Sequence, residues 1–157
     1  MGSCTEINMR LYQKQYHDNL LHFLEVCLPQ SGRRLDLNGR HKMYHEIEKY
    51  FMAFWCLFDR DHLIGTVALK RLGDENCELK ALYLLEQYHK NGLGYRLLKT
   101  AIEKAQQEGY KKLYLDTLST SRNAIALYEK AGFVRTQRYN ANDAADVFMV
   151  LQLDCQP

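Results

Sequence analysis

Residues 82–98 read LYLLEQYHKNGLGYRLL, an apolar run that becomes polar, passes through two glycines and continues with more widely spaced apolar residues. The apolar start is typical of a buried strand. After Gly94 the apolar residues recur at helical spacing as far as Ala105, and Gly109 stands where the C-terminal cap of that helix belongs. The sequence therefore predicts a strand, a glycine loop and a long helix in succession.

A glycine loop that joins a strand to a helix has a definite binding capacity. The first backbone N–H groups of the helix lack partners within it, and the helix dipole adds partial positive charge at the same end. Gly92 and Gly94 have no Cβ atom, so a ligand can approach the backbone closely. This stretch therefore indicates a site for phosphate or pyrophosphate.

Known phosphate loops narrow the choice of ligand. A P-loop needs the pattern Gly-x-x-x-x-Gly-Lys-Ser/Thr, which does not occur in the chain. A dinucleotide fingerprint needs a third small residue where Leu97 stands, although Asp116 lies at about the expected distance downstream. From this stretch alone, the dinucleotide site and an ordinary strand–loop–helix unit without a ligand both stay open.

Two blocks of the sequence resemble the GNAT family of N-acetyltransferases. Gly92-Leu93-Gly94, preceded by the strand-like segment ELKALYL at residues 78–84, is similar to the loop that binds the pyrophosphate of acetyl-CoA in that family. The segment NAIALYEKAGF at residues 123–133 is similar to a second block, in which a tyrosine stands shortly before a Gly-Phe pair. The two blocks occur in the order that the family uses.

The predicted elements give one α/β (α+β) domain over residues 1–157, with residues 1–5 frayed. Strands are expected at residues 7–12, 54–58, 63–70, 77–85, 112–117, 133–139 and 147–153, and helices at 16–28, 41–51, 94–108 and 121–131. This order predicts a mixed central sheet flanked by helices on both faces. The resemblance implies the GNAT fold, with the fourth and fifth strands parallel and splayed around the pantetheine arm of acetyl-CoA.

The resemblance also implies which residues bind the cosubstrate. Backbone groups of Leu82, Tyr83 and Leu84 would bind the pantetheine amides. Backbone N–H groups of the loop would bind the pyrophosphate, and they belong to His89, Lys90, Asn91, Gly92, Leu93, Gly94 and Tyr95. Asn123 would bind the cofactor or cap its own helix. The family usually has Gln or Arg at the position of His89, so the charge at this point would vary with pH.

Acetyl transfer to an amine requires a proton donor and a base. Tyr128 occupies the tyrosine position of the second block, which the resemblance marks as the general acid for the leaving thiolate and as a cofactor contact; a core aromatic is the alternative. Glu78 is the candidate base, because the resemblance places an acid there in some members. By strand alternation it would face the same side as Leu82 and Leu84. Its alternative is a half-exposed charge paired with Lys80.

Composition excludes several other classes of function. The net charge of +2 gives no electrostatic case for nucleic acid. No apolar run approaches the length of a membrane span, and no signal peptide is recognised. The five cysteines have no C-x-x-C spacing, which argues against a zinc site or a disulfide framework. They are Cys4, Cys27, Cys56, Cys77 and Cys155. We therefore expect a reduced, cytoplasmic protein without a metal.

The function predicted from the sequence is an N-acetyltransferase that uses acetyl-CoA and a primary amine in a ternary complex. No cysteine lies in either block, so a covalent acetyl-cysteine intermediate is not supported. The acceptor is expected to be a small-molecule amine or a peptide, bound by the first two helices, their loop and residues 140–146. Partners beyond these ligands are not indicated, although a homodimer is allowed. The alternatives are a non-catalytic acyl-CoA-binding domain and a dinucleotide-binding oxidoreductase.

Overall fold

A computed structural model describes residues 6–153, so the predicted fraying of residues 1–5 lies outside the described residues. These residues form a seven-stranded sheet with the strand order β1-β2-β3-β4-β5-β7-β6. The strands are β1 Ile7–Leu11, β2 Ala53–Asp59, β3 His62–Arg71, β4 Asn76–Leu84, β5 Lys112–Thr117, β6 Val134–Arg135 and β7 Val147–Gln152. The helices are α1 His17–Gln30, α2 Ile47–Tyr50, α3 Leu93–Gln107 and α4 Arg122–Lys130. Short 3₁₀ turns occupy Lys14–Tyr16, Lys42–His45 and Glu86–Tyr88.

The pairing of β4 with β5 confirms the mixed sheet. These two strands run parallel, and every other pair in the described sheet is antiparallel. Their register contains three residue pairs and ends at Glu78 opposite Tyr114. Both strands continue beyond that point, β4 to Leu84 and β5 to Thr117. The C-terminal ends of β4 and β5 therefore part, as the splayed arrangement requires.

Helices cover both faces of the sheet, which confirms the predicted layers. On one face, α3 buries Leu97, Leu98 and Ala101 against β3 and β4, and α4 packs into the same core. On the other face, α1 buries a second apolar cluster with β2 and with residues 42–51. Burial of these apolar stripes is the main force that fixes the helices on the sheet.

A β-bulge in β4 overturns the predicted direction of Glu78. Ala81 has a φ of +53°, and the β3–β4 register shifts opposite this point. Thr66 Oγ1 donates a 2.6 Å hydrogen bond to the Ala81 carbonyl and holds the bulge in place. One extra residue in a strand reverses the alternation of side chains after it. Relative to the residues after the bulge, those before it therefore face the side of the sheet opposite to the one that regular alternation predicts.

The core contacts show this reversal directly. Leu79, Leu82 and Leu84 all pack with the core beneath α3. Glu78 neighbours Leu79 and therefore faces the α1 side, so its predicted placement with Leu82 and Leu84 is wrong. The other differences lie at element ends. The expected helix at 41–51 breaks at Glu46, whose φ of −137° is not helical, and the expected strand at 133–139 is reduced to Val134–Arg135.

Candidate active site

A cleft of about 600 Å³ opens where β4 and β5 part. Its walls include the bulged segment of β4, the end of β5, the first half of α4 and the segment that follows α1. The β4–β5 ladder in the described chain has no pair beyond Glu78 and Tyr114, so the strand edges in the cleft do not bond each other there. An extended ligand with amide groups can bind such an edge as an added strand would.

The glycine loop forms a turn that is open above the start of α3. Gly92 is the N-terminal cap residue of α3, has a φ of +77° and makes no side-chain cap. A Cβ atom built on Gly92 would have no neighbour within 4 Å, and one on Gly94 would meet only Leu127 Cδ2 at 3.5 Å. The first N–H groups of α3 are therefore left without a capping side chain, and an anion has room to approach them.

His89 has a structural contact at the beginning of this loop. One ring nitrogen, Nε2, lies 2.9 Å from the Leu84 carbonyl, and the His89 backbone N–H donates to the Glu86 carbonyl at 3.1 Å. Both contacts fold the segment back onto the end of β4. The ring is therefore held at the base of the loop.

The predicted cofactor residues divide into two groups in space. Leu82, Tyr83 and Tyr128 line the cleft, whereas Leu84, residues 89–95 and Asn123 lie outside its lining. Asn123 is exposed at the start of α4, where no side-chain cap forms. The α4 residues that line the cleft are instead Ser121, Ala124 and Tyr128, with Ser121 just before the helix.

Tyr128 lies at the base of the cleft and is only 7% exposed. Burial raises the pKa of its phenol well above the usual range, while the guanidinium of Arg33 opposes the rise. Its ring packs at an angle against Phe133, with 5.8 Å between ring centroids. The hydroxyl therefore stays protonated across the physiological range, and the residue is both a core aromatic and a neutral hydrogen-bond donor.

Glu78 is buried beneath the cleft and does not line it. Its Oε2 accepts hydrogen bonds from the Tyr139 hydroxyl and from Asn140 Nδ2, the latter at 3.2 Å. Its Oε1 lies 3.8 Å from Lys80 Nζ. Burial, followed by the charge of Glu78, raises the pKa of Tyr139 far above the usual range. The predicted pairing of Glu78 with Lys80 exists, but the carboxylate is buried rather than half-exposed.

Asn140 joins Glu78 to a second carboxylate that does line the cleft. The same Nδ2 atom donates to Asp116 Oδ2 at 2.6 Å, and Asn142 Nδ2 donates to that oxygen at 3.3 Å. Sequence reasoning assigned Asp116 only to the dinucleotide alternative and missed this link. The one available signal was the polar segment NANDAAD at 140–146, which was assigned to acceptor binding as a whole.

The regions predicted to bind the acceptor are only partly brought together. Tyr44, Asn142 and the arginines of the loop after α1 line the cleft, whereas Asn38, His45 and Tyr50 from the same regions do not. His45 instead bonds the Leu37 carbonyl at 3.0 Å. Burial raises the pKa of Tyr44 well above normal, and a hydrogen bond with Tyr83 contributes.

The described cysteines are buried away from the cleft wall. Burial raises the pKa of Cys27 to about 11 and those of Cys56 and Cys77 to about 12. Among residues 6–153, no group of three or more His, Cys, Asp or Glu side chains is arranged to hold a metal ion. In the same part of the chain, none of the helices combines the length and apolarity needed to cross a membrane.

Sequence comparison connects this geometry with curated proteins. The chain is 36% identical to the uncharacterized N-acetyltransferase YjgM of Escherichia coli over 84 residues, which are 52% of this chain and 50% of that protein. It is 30% identical to the uncharacterized N-acetyltransferase YsnE of Bacillus subtilis over 106 residues, 65% of this chain and 70% of that protein. Against most of these relatives the chain spans about half of their length.

Solved structures share the fold over nearly the whole chain. A GNAT-family acetyltransferase of Staphylococcus aureus Mu50 superposes with a TM-score of 0.85 at 21% identity, covering 94% of this chain and 99% of that one. The PaiA N-acetyltransferase of Thermoplasma acidophilum, solved with coenzyme A, gives 0.77 at 20% identity and covers 94% and 99%. The yncA protein of Salmonella typhimurium, solved with acetyl-CoA, gives 0.72 at 18% identity and covers 96% and 95%.

The family assignment follows from a match that is longer than any single motif. A sequence model described as the Acetyltransferase (GNAT) family matches residues 9–133, from β1 through the glycine loop to the end of the second block. The TM-scores of 0.72 to 0.85 show that those neighbours share the overall fold found here. This chain belongs to the GNAT acetyltransferase family.

Proposed function

We propose that this chain transfers the acetyl group of acetyl-CoA to a primary amine by direct attack in a ternary complex. The observation that carries the proposal is the cleft between the parted ends of β4 and β5, with the neutral phenol of Tyr128 at its base. The relatives named above are N-acetyltransferases by name, and two of the fold neighbours were solved with coenzyme A or acetyl-CoA.

The cosubstrate fits the two open parts of the site. Its pantetheine amides would bind along Leu82, Tyr83 and Leu84, where β4 lacks a partner on the β5 side. Its pyrophosphate would bind the N–H groups from His89 to Tyr95, centred on the uncapped turn at Gly92. Asn123, exposed at the start of α4, would contact the outer part of the molecule. Bound acetyl-CoA supplies the thioester, and these protein groups only bind and orient it.

The chemical step needs two proton transfers. The amine nitrogen forms a bond to the acetyl carbon, the carbon–sulfur bond breaks, and the thiolate takes a proton from Tyr128 Oη. Because burial raises the pKa of that phenol, the donor is protonated across the physiological pH range. The buried thiols lie off the cleft wall and have raised pKa values, which supports direct attack over an acetyl-cysteine intermediate.

The base that receives the amine proton is proposed to be the Glu78–Asp116 pair. At neutral pH a lysine-like amine with a pKa of ~10.4 is almost entirely protonated, so it must lose a proton before it attacks. Asp116 lines the cleft and can accept that proton, while Glu78 lies behind it and shares the Asn140 amide. Removing either charge should therefore alter how the rate depends on pH.

Coenzyme A release in the presence of a panel of amines tests the proposal. The panel contains amino acids, polyamines, aminoglycosides and peptides with free N-termini, and mass spectrometry identifies the acetylated product. We expect thiol release that depends on one class of amine. Acetyl-CoA binding without release or product for any of them would favour the alternative, a non-catalytic acyl-CoA-binding domain.

A cytoplasmic location and a metal-free reaction complete the proposal. The free, buried thiols of Cys27, Cys56 and Cys77 support a reducing compartment.

Each chemical step above is assigned to a side chain, so no metal is invoked. Purified protein dialysed against a chelator should therefore keep its full rate of acetyl transfer.

A further inference from the structure

The lining of the cleft carries an excess of positive charge. Arg33, Arg34 and Arg40 line the cleft from the segment after α1, and Lys80 lines it from β4. Asp116 is the single carboxylate in the lining of this cleft within the described residues. Such a concentration of cations is out of proportion to the net charge of +2 for the whole chain.

Two of these arginines have no anionic partner within the described residues. Neither Arg33 nor Arg34 forms an ion pair there, and the guanidinium of Arg33 lies 5.9 Å from the centre of the Tyr83 ring. Arg33 also acts on the phenol of Tyr128, whose pKa it lowers against the larger effect of burial. The Arg33 guanidinium therefore lies on the cleft wall beside Tyr83.

Arg40 lines the cleft from the same segment, but it is held by a hydrogen bond and an ion pair. Its guanidinium donates to Asn142 Oδ1 at 3.3 Å and lies 3.9 Å from Asp143. Asn142 in turn bonds Asp116, so Arg40 is tied to the carboxylate on the opposite wall. His41 lies beside Arg40, and burial together with Arg40 lowers its pKa, which favours the neutral ring in this basic surrounding.

These arginines are not placed to bind the phosphates of coenzyme A. The glycine turn leads into α3, which packs on one face of the sheet, whereas Arg33, Arg34 and Arg40 follow α1, which packs on the other. The two charged regions therefore approach the cleft from opposite faces. A ligand of the arginines is accordingly a second molecule, the acceptor.

We propose that the acceptor is a small zwitterionic amine, whose carboxylate or phosphate binds Arg33 and Arg34 while its amine lies near Asp116 and Tyr128. This inference rests on the proposed acetyl transfer and specifies its substrate class. Guanidinium groups are suited to carboxylate and phosphate because they donate several hydrogen bonds in a fixed plane. Asp116 supplies the opposite charge for the ammonium form of the same molecule.

Paired amines that differ in one anionic group test the inference. The pairs are β-alanine with β-alaninamide, L-phenylalanine with L-phenylalaninamide, and O-phosphoethanolamine with ethanolamine; spermidine serves as a polycation. We expect the anionic member of at least one pair to have a kcat/KM about 10- to 100-fold higher than its neutral partner, as charged hydrogen bonds would give. The carboxylate and phosphate pairs distinguish the two anion types.

The double variant R33Q/R34Q should abolish this preference, mainly through KM, and should leave the affinity for acetyl-CoA unchanged. The control R71Q/K104Q removes the same number of positive charges from exposed residues that pair with Asp74 and Glu108, far from the cleft. It should keep the preference. Two results would overturn the inference. One is a wild type that prefers neutral or cationic amines, and the other is a preference for the anionic amine that is unchanged in R33Q/R34Q.

A binding measurement separates this inference from the proposed function. With coenzyme A present, the anionic member of a pair should raise the melting temperature of the wild type more than the neutral member does, and this difference should vanish in R33Q/R34Q. Equal shifts would refute the zwitterionic acceptor even if other amines are acetylated. If no amine is turned over but the anionic amine still raises the melting temperature more than its neutral partner, acetyl transfer is refuted and the anion site is supported.

Discussion

Tyr128 differs from phenylalanine by one oxygen, and the proposed chemistry depends on that atom. Tyr128→Phe keeps the ring that packs on Phe133, so the melting temperature and the affinity for acetyl-CoA should change little. The kcat should fall about 10- to 1000-fold, because a proton donor acts mainly in the transition state. Steady-state kinetics together with thermal unfolding check this. Full activity with an acceptor whose transfer step limits the rate would contradict the assigned role.

Glu78 and Asp116 can be separated by their pH profiles. If the pair acts as the base, kcat/KM should rise with pH along an acidic limb. Asp116→Asn, which changes the carboxylate on the cleft wall, should flatten that limb and lower the plateau. Glu78→Gln should shift the limb while Gln still accepts from Tyr139.

Two outcomes would change this assignment. A wild-type profile in both variants would return both carboxylates to a structural role. A profile altered only in Glu78→Gln would restore Glu78 as the direct base that the sequence suggested. Thermal unfolding of each variant is the control, because both residues share the Asn140 amide.

Local patterns explain which of these residues could be predicted. Tyr128 and the glycines lie within short motifs, so sequence alone assigned them. Asp116 and Asn140 are 24 residues apart and meet only because β5 pairs with β7 and residues 136–146 fold back over the cleft. Nothing in the spacing of polar residues reports such a contact.

The turn before α3 binds the proposed cosubstrate through its backbone, so a side chain there should interfere. Gly94→Val places methyl groups over the first turn of α3, beside Leu127, with no forbidden φ to strain the chain. For the wild type, acetyl-CoA at 100 times its Kd should add ~2.7 kcal/mol of stability, or roughly 5–10 °C in Tm. We expect the variant to lose most of this shift.

Gly73→Val is the matched control for this measurement. A Cβ atom on Gly73 would have no neighbour within 4 Å, and the residue lies in the turn between β3 and β4. It should keep the full ligand-induced shift. The same shift in a folded Gly94→Val protein would place the cosubstrate elsewhere. Gly92 is less suitable for this test, because its φ of +77° strains any β-branched residue regardless of the ligand.

The bulge in β4 shows where element prediction fails. The strand was predicted close to its observed bounds, because apolar and β-favouring residues mark it. The reversal of side-chain direction was not predicted, because the bulged residue is an alanine rather than a glycine and carries no sequence signal for a positive φ. The bond from Thr66 to the Ala81 carbonyl comes from a neighbouring strand, which a single segment cannot reveal.

Alkaline pH should weaken the whole molecule through its buried thiols. The unfolded thiols titrate near their ordinary pKa of 9.0, whereas burial raises the folded pKa values to about 11 for Cys27 and about 12 for Cys56 and Cys77. Between these limits the unfolded state binds fewer protons, so the free energy of unfolding falls as pH rises. Each thiol contributes a slope of up to ~1.4 kcal/mol per pH unit.

Urea unfolding with a reductant at pH 8, 9 and 10 measures this slope. Cys56→Ala should reduce the slope of unfolding free energy against pH by about the contribution of one thiol, because Cys56 is fully buried in the described chain. The variant is compared with the wild type at each pH, so that its packing cost at neutral pH cancels. An identical slope in the variant would contradict the assignment of the pH dependence to this thiol.

The overall architecture was predictable because it depends on the order and periodicity of its elements. Alternating strands and helices gave the mixed sheet and its layers, and the family blocks gave the parallel pair. The character of the cleft was not predictable. Arg33 and Arg34 belong to no recognisable motif, and only the packing of α1 against the sheet brings them to the parted strands.

The parting of β4 and β5 also bears on how the chain keeps from aggregating. A continuous sheet ends only at its outer strands, here β1 and β6, but within the described residues this one carries two further stretches of unpaired edge near its middle. Such edges are templates on which another chain can add a strand. A ligand that lies along them covers the template while it is bound, so we expect the empty protein to aggregate more readily than the protein with the proposed cosubstrate bound.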